Sequence, residues 1–242
     1  MNERNFNKTP VTFLSTYPPR KCGIGTFTHH LARNVSQLYG EELSAKSKVS
    51  IAALNDQPEG YDYGTEVGFE INSQNRMDYR RAADYVNLSD TKVVNVQHEY
   101  GIFGGDDGDN LLTFLDVVRK PVVSTLHTIL KKPSDHQQEV LREVCEKSSE
   151  VVVLANKGIE LLRDVYGVSP DDVSMIPHGA PDVPFLDTSY YKEDYGIEGR
   201  SVILTFGLLG PNKGIEIAIE AMEQVAKKFP ESLYIILGAT HP

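Results

Sequence analysis

Two glycine-bearing loops and two histidines are the residues of this sequence best suited to chemistry. In Thr16-Tyr17-Pro18-Pro19-Arg20-Lys21-Cys22-Gly23-Ile24-Gly25-Thr26 an apolar run gives way to two glycines and then to a helical pattern. Gly23 and Gly25 let the backbone approach a ligand closely, and the positive end of the helix behind them favours an anion. Without a ligand, the same loop is a tight turn into a helix. Phe206-Gly207-Leu208-Leu209-Gly210-Pro211-Asn212-Lys213-Gly214 is a second such loop, in which Lys213 adds a point charge suited to a diphosphate. His127-Thr128 follows the apolar run 122–126, and His98-Glu99-Tyr100-Gly101 follows 92–97. A solitary histidine is more often structural than catalytic. Two that end strands on one crevice point to imidazole chemistry near neutral pH. His127 is the stronger candidate, and His98 fits a buried structural role equally well. His29 and His30 fall on a helix and His136 in a first helical turn, where solvated or packing roles are expected.

Gly104-Gly105-Asp106-Asp107-Gly108-Asp109 contains an Asp-x-Asp, a spacing that can hold a metal against a diphosphate. No apolar strand leads into it, and the Glu that would close an EF-hand loop is missing. A turn and helix cap is expected there, and no metal.

The elements that must position these residues follow from periodicity. Short β-branched runs at 11–15, 48–54, 67–71, 92–97, 122–126, 151–154 and 173–176 read as strands. Between them lie helical stripes: Phe27, Leu31, Val35 and Leu38; Tyr79, Ala82, Ala83 and Val86; Leu111, Leu112, Leu115 and Val118; then Val140, Leu141, Val144 and Cys145, entered through the capping-box sequence 134–137; and last 159–165. This alternation implies βαβ units, a parallel sheet and helices on both faces. In such doubly wound sheets, ligands bind beyond the carboxyl ends of the strands, which is where His98, His127 and the Gly23–Gly25 loop fall. Residues 177–199 are rich in Pro and Gly without a clear period and read as a hinge with some helix at 190–195. A strand at 202–206, a helix at 215–229 and a strand at 233–237 then open a fresh βαβ unit. The expected domains are 1–185 and 186–242, the second being only the start of a domain.

Composition sets the outer limits. The 242 residues are 40% hydrophobic and 24% charged, with a formal net charge of -10. Disordered, collagenous and disulfide-scaffold classes are excluded. An acidic chain is poorly suited to nucleic acid or anionic lipid. No run reaches the ~18 apolar residues of a membrane helix. The start, MNERNFNKTP, lacks the apolar core of a signal peptide, and the two cysteines, Cys22 and Cys145, have no metal-ligand spacing. A cytoplasmic location is expected.

Taken in order, these motifs resemble the retaining glycosyltransferases of family 4, with the GT-B fold. The resemblance rests on the Pro-Pro before Gly23-Ile24-Gly25, on Gln97-His98-Glu99, and on Thr125-Leu126-His127-Thr128. It continues through Ile176-Pro177-His178-Gly179 to Phe206-Gly207 with Lys213-Gly214 and Ile219-Glu220-Ala221-Met222. It implies transfer of a hexose from a nucleotide sugar to a carbohydrate or other hydroxyl acceptor, with retention and without a metal or other cofactor. It places His127 at the family's sugar-contacting histidine and Lys213 at the diphosphate-holding lysine, with Gly23, Gly25 and Gly207 near the donor phosphates. His98 is the second catalytic candidate. Leu208 stands where the family has an Arg, which removes a bidentate phosphate fork. The family's Glu-rich donor motif would fall beyond residue 242, so this chain alone is expected to be inactive.

Two other readings remain. An NAD(P)-dependent oxidoreductase would use Gly23, Gly25 and Asp56. Against it, Thr28 replaces the third glycine of a dinucleotide fingerprint, and Asp56 lies further on than the usual ~20 residues. A non-catalytic sugar- or nucleotide-binding module is the third reading, which Leu208 favours.

Overall fold

The computed structural model describes residues 8–180, 183–210 and 213–240, without the side chains of 208 and 240. The start of the chain read above for a leader, Pro211 and Asn212 of the second glycine loop, and the Leu208 side chain lie outside the described residues. Contacts divide the chain between Gly179 and Ala180, a few residues before the expected boundary.

The first unit runs β1 (Val11–Ser15), α1 (Gly23–Leu38), β2 (Val49–Asn55), β3 (Val67–Asn72), α2 (Arg76–Leu88), β4 (Val93–His98), α3 (Asn110–Val117), β5 (Val122–Leu126), α4 (Asp135–Glu146), β6 (Glu150–Val153), α5 (Asn156–Leu161) and β7 (Val173–Met175). The strand ends agree with the periodicity reading to within one residue. All seven strands are parallel, in the order β3-β2-β1-β4-β5-β6-β7. The chain moves outward from β1 to β3, then returns to the other side of β1 with β4. The order therefore reverses between β1 and β4, the kind of position beyond whose carboxyl ends doubly wound sheets bind ligands.

Alternation along each strand fills two cores. On one face Leu14, Ala52, Leu54, Val94, Val96 and Leu126 join α2, α3 and α4. On the other, Phe13, Ile51 and Ala53 pack with Ala32, Leu31 and Val35 of α1. Both faces of the sheet are thus buried, as near-continuous apolar strands require.

The helix ends follow local chemistry. Ser134 and Gln137 form the reciprocal capping box expected from their spacing. α5 ends sooner than the 159–165 stripe suggests: it passes at Leu162 into a wider π-type turn, Leu162–Tyr166, whose two end residues are buried, and Gly167 at φ +71° stops it. The Asp-rich turn is a second difference. Asp109 precedes α3 but caps nothing, because it already has helical backbone angles and its side chain does not reach back to the first turn. Its carboxylate pairs with Arg76, and Asp107 binds His136 Nδ1 at 3.0 Å and Gln137 Nε2 at 3.1 Å. The turn is held by contacts to α2 and α4 in place of a cap.

The second unit contains α6 (Thr188–Asp194), β8 (Ser201–Leu209), α7 (Ile215–Lys228) and β9 (Ser232–Thr240). β8 and β9 pair in parallel from Ser201↔Ser232 to Leu209↔Thr240. They are longer than the runs 202–206 and 233–237 that define them in the sequence.

Candidate functional site

The loop after β1 is built for close approach. A Cβ on Gly25 would lie 3.3 Å from the Tyr17 backbone nitrogen, so glycine lets α1 start hard against the end of β1. Gly23 has open space where a side chain would be. The first turn of α1 holds no acidic residue, which leaves its amides and dipole free to meet an anion. Arg20 is not free to help: Nη1 donates to the Leu54 carbonyl at 3.0 Å and Nε pairs with Asp56 at 3.2 Å. Beneath the loop, the buried Tyr17 hydroxyl meets His29 Nδ1 at 2.8 Å and Glu66 at 3.2 Å, and burial raises its pKa.

His127 stands just beyond β5, half-buried. Its backbone N–H donates to the His98 carbonyl at 3.0 Å, its Nε2 meets Gln97 Oε1 at 2.8 Å, and the Phe27 ring packs edge-on at 4.9 Å. Phe27 also touches the ring of His178, at 5.0 Å. Beside it, Thr128 Oγ1 donates to Glu99 Oε2 at 2.5 Å, and Glu99 Oε1 accepts from the Tyr100 backbone N–H. A cavity of about 190 Å³ at the ends of β5 and β6 is lined by Leu126, His127, Ile129, Val153, Ala155 and Gly158. A larger hollow, about 760 Å³, opens around Cys145, Ser149 and Gly167. It lies at the amino ends of β6 and β7, away from the crevice where doubly wound sheets bind ligands.

His98 does not join His127, and the expectation that both rings line one crevice is corrected. Register places His98 opposite Leu126 and Gln97 opposite Thr125. His98 thus shares the face of Val94 and Val96, while Gln97 and His127 turn toward α1. His98 is fully buried, stacked 5.9 Å from Phe103 and edge-on to Tyr100, and neither ring nitrogen has a hydrogen-bond partner. Burial, with repulsion from His127 second, lowers its pKa to about 3. Burial and then His178 lower that of His127 to about 4.

The sign of the pH effect follows. Unfolding frees imidazoles with an ordinary pKa of 6.5, which take up protons that the native rings refuse. Stability is complete above about pH 6.5 and falls toward pH 4, by up to about 1.4 kcal/mol per pH unit for each ring. Urea midpoints at pH 7.5 and pH 5 measure this. His98→Phe keeps the stacked ring without the titration, so it should remove about half of the dependence and leave the share of His127. An equally steep loss in that variant would show that another group carries it.

In the second unit, Gly207 has φ +113° and Gly214 φ +63°, conformations that favour glycine. The Lys213 backbone N–H donates to the Gly210 carbonyl at 3.0 Å, just before α7. Glu216 in the first turn of α7 partly offsets the positive end of that helix.

Periodicity and spacing singled out the glycines and His127. They missed Gln97, a fully buried amide in an apolar strand, and Phe27, which they placed in the apolar stripe of α1. The signal for Gln97 was its polarity at a core position, which demands a partner. At the third fingerprint position, Thr28 is fully buried and bonds Ser15 Oγ at 2.7 Å. It fills the space a glycine would leave between helix and strand. Among the described residues, no group of three or more His, Cys, Asp or Glu is placed to hold a metal, and no helix is long and apolar enough to cross a membrane.

No protein-family model matches the chain. Among curated proteins it is 30% identical over 86 residues to mannosylfructose-phosphate synthase of Agrobacterium fabrum, a match covering 33% of this chain and 19% of that protein. It is 25% identical over 126 residues to phosphatidyl-myo-inositol mannosyltransferase of Mycobacterium tuberculosis, covering 51% and 32%. The matched segments thus span less than a third of either relative. Among solved structures, Anabaena Alr3699/HepE in complex with UDP aligns with a TM-score of 0.65 at 15% identity, over 96% of this chain and 62% of that one. A glycosyltransferase of Rickettsia africae aligns with a TM-score of 0.61 at 15% identity, over 97% and 61%. An alpha-glucosyltransferase in complex with UDP-glucose and DNA aligns with a TM-score of 0.55 at 12% identity, over 95% and 67%. At these identities the likeness speaks for architecture: the chain has an α/β fold of GT-B type, with a doubly wound parallel sheet in its first unit and a βαβ unit in its second.

Proposed function

We propose that this chain is part of a glycosyltransferase that moves a hexose from a nucleotide sugar to a carbohydrate or other hydroxyl acceptor, with retention, in the manner of family 4. The observation that carries this reading is the site at the carboxyl ends of β1 and β5. There, an acid-free helix N-terminus stands behind Gly23 and Gly25, and His127 is held neutral by burial. The names of the curated relatives, and the UDP and UDP-glucose in the aligned structures, support the same class.

In such a transfer the bond from the anomeric carbon to the diphosphate oxygen breaks and a bond to the acceptor oxygen forms. The acceptor loses its proton, and negative charge grows on the leaving diphosphate. Fixed amide donors and a lysine suit that charge. On this reading the α1 amides at Gly23 and Gly25, and Gly207 with Lys213, serve the phosphates, while His127 contacts the sugar. His98, buried and on the other face, acts as core in this state rather than as a contact. No metal or other cofactor is needed. Among the described residues the second unit offers only Lys213 as a donor-side cation in its glycine loop, so residues 1–242 alone are expected to bind more readily than they turn over. The free thiols Cys22 and Cys145 fit a cytoplasmic setting.

A binding screen by calorimetry tests the class. UDP-glucose, GDP-mannose or the parent diphosphates should bind, and NAD should not. Binding of NAD with no response to any nucleotide sugar would favour the oxidoreductase reading.

A further inference from the structure

Gln97 is fully buried at the end of β4, on the face that meets α1. Its Nε2 donates to Asn95 Oδ1 in a short bond and to Thr125 Oγ1 at 3.5 Å, and its Oε1 lies 2.8 Å from His127 Nε2. An amide has a donor end and an acceptor end, and its neighbours decide which way it faces. Here Asn95 Oδ1 accepts from the NH₂ end, and the Thr125 hydroxyl accommodates either end, so the oxygen is left for the imidazole. A carbonyl oxygen only accepts, so with the amide in this orientation His127 carries its proton on Nε2. Nδ1 then keeps a lone pair, and no described residue donates to it. The ring has little freedom to reverse this, because Phe27 packs against it and the His127 main chain is tied to the His98 carbonyl.

Resting on the transferase reading of this site, we propose that Gln97 is a positioning residue that fixes His127 in its Nε2–H form, so that Nδ1 accepts a hydrogen bond from a hydroxyl of the bound sugar. The consequence is selectivity for a group that donates. A sugar carrying a deoxy or O-methyl group at that position leaves the lone pair unmet, whereas the free hydroxyl satisfies it.

The test is long-range ¹H–¹⁵N NMR of the histidine rings in the whole chain near pH 7, with no ligand. Neutral His127 should show a proton on Nε2, slow to exchange, and a bare Nδ1. A proton on Nδ1 would mean that the amide faces the other way and would overturn the proposal. Gln97→Glu keeps an acceptor at Nε2 and adds charge, so the His127 titration midpoint should rise by about two pH units. Gln97→Met should lose the slowly exchanging proton. An unchanged midpoint in the first variant, or an unchanged proton in the second, counts against the role of Gln97. Addition of UDP-glucose should shift the Nδ1 resonance, and binding without that shift would remove the hydroxyl contact. An intact Nε2–H form in a chain that binds no nucleotide sugar would instead count against the transferase reading.

Discussion

His127→Ala is expected to lower nucleotide-sugar turnover by about 10²–10³-fold, the loss usual for one preorganised contact at the reacting centre. The assay is release of nucleoside diphosphate by an active protein that carries this chain, with and without acceptor. The effect should fall mainly on kcat if the contact strengthens as the anomeric bond breaks. His136→Ala is the control. That ring is exposed, bonded to Asp107, and its pKa is raised rather than lowered. Its removal should leave turnover within about a factor of two, as for most surface substitutions. His127 is only half-buried, so its loss should not unfold the domain, and a thermal melt of the variant separates the two causes. Unchanged turnover in His127→Ala would show that the chemistry lies elsewhere.

Tyr79→Ala should be among the most damaging changes in the first unit, at about 3–5 kcal/mol of the ~5–15 that hold a domain together. Tyr79 is fully buried in the larger core, and its hydroxyl reaches the carbonyl of Ser73, at 3.2 Å, and that of Phe103. It therefore ties the loop after β3 to the segment that follows His98. Tyr79→Phe keeps the ring and takes the donor from the Phe103 carbonyl, while the Ser73 carbonyl keeps Asn110 Nδ2 at 2.9 Å, so it should cost less, about 1–3 kcal/mol. Urea unfolding of both variants gives the order. Equal losses would mean that the hydroxyl carries the whole effect.

Much of the architecture was legible along the chain. The runs at 11–15 and 122–126 are β1 and β5 without adjustment, and Ser134 with Gln137 closes the capping box their spacing announces. These features are set by periodicity and by hydrogen bonds within one turn, so neighbours in sequence suffice to specify them. The end of α5 was less legible, because its stripe runs on into a π-type turn whose wider spacing imitates a continuing helix. Asp109 shows the limit of composition: it is a good capping residue, but its backbone is already helical and its carboxylate belongs to Arg76.

The site divides in the same way. That Gly23, Gly25 and His127 sit beyond strand ends follows from the sequence, since His127 comes directly after an apolar run and the two glycines after the loop that follows another. Which face each side chain takes does not. His98 and His127 look alike as residues that follow strands, but one ends the inward row of Val94 and Val96 and the other steps past Thr125 toward α1. Gln97 and His127 are 30 positions apart. Their contact needs β4 and β5 in parallel register, α1 closing one face and α2 to α4 the other. The sequence determined where the chain turns from strand to helix, because hydrophobic period and capping act over a few residues. The tertiary structure alone decided which imidazole is buried without partners and which is held between Gln97 and Phe27, because register and the packing of helices on each face set partners that are distant along the chain.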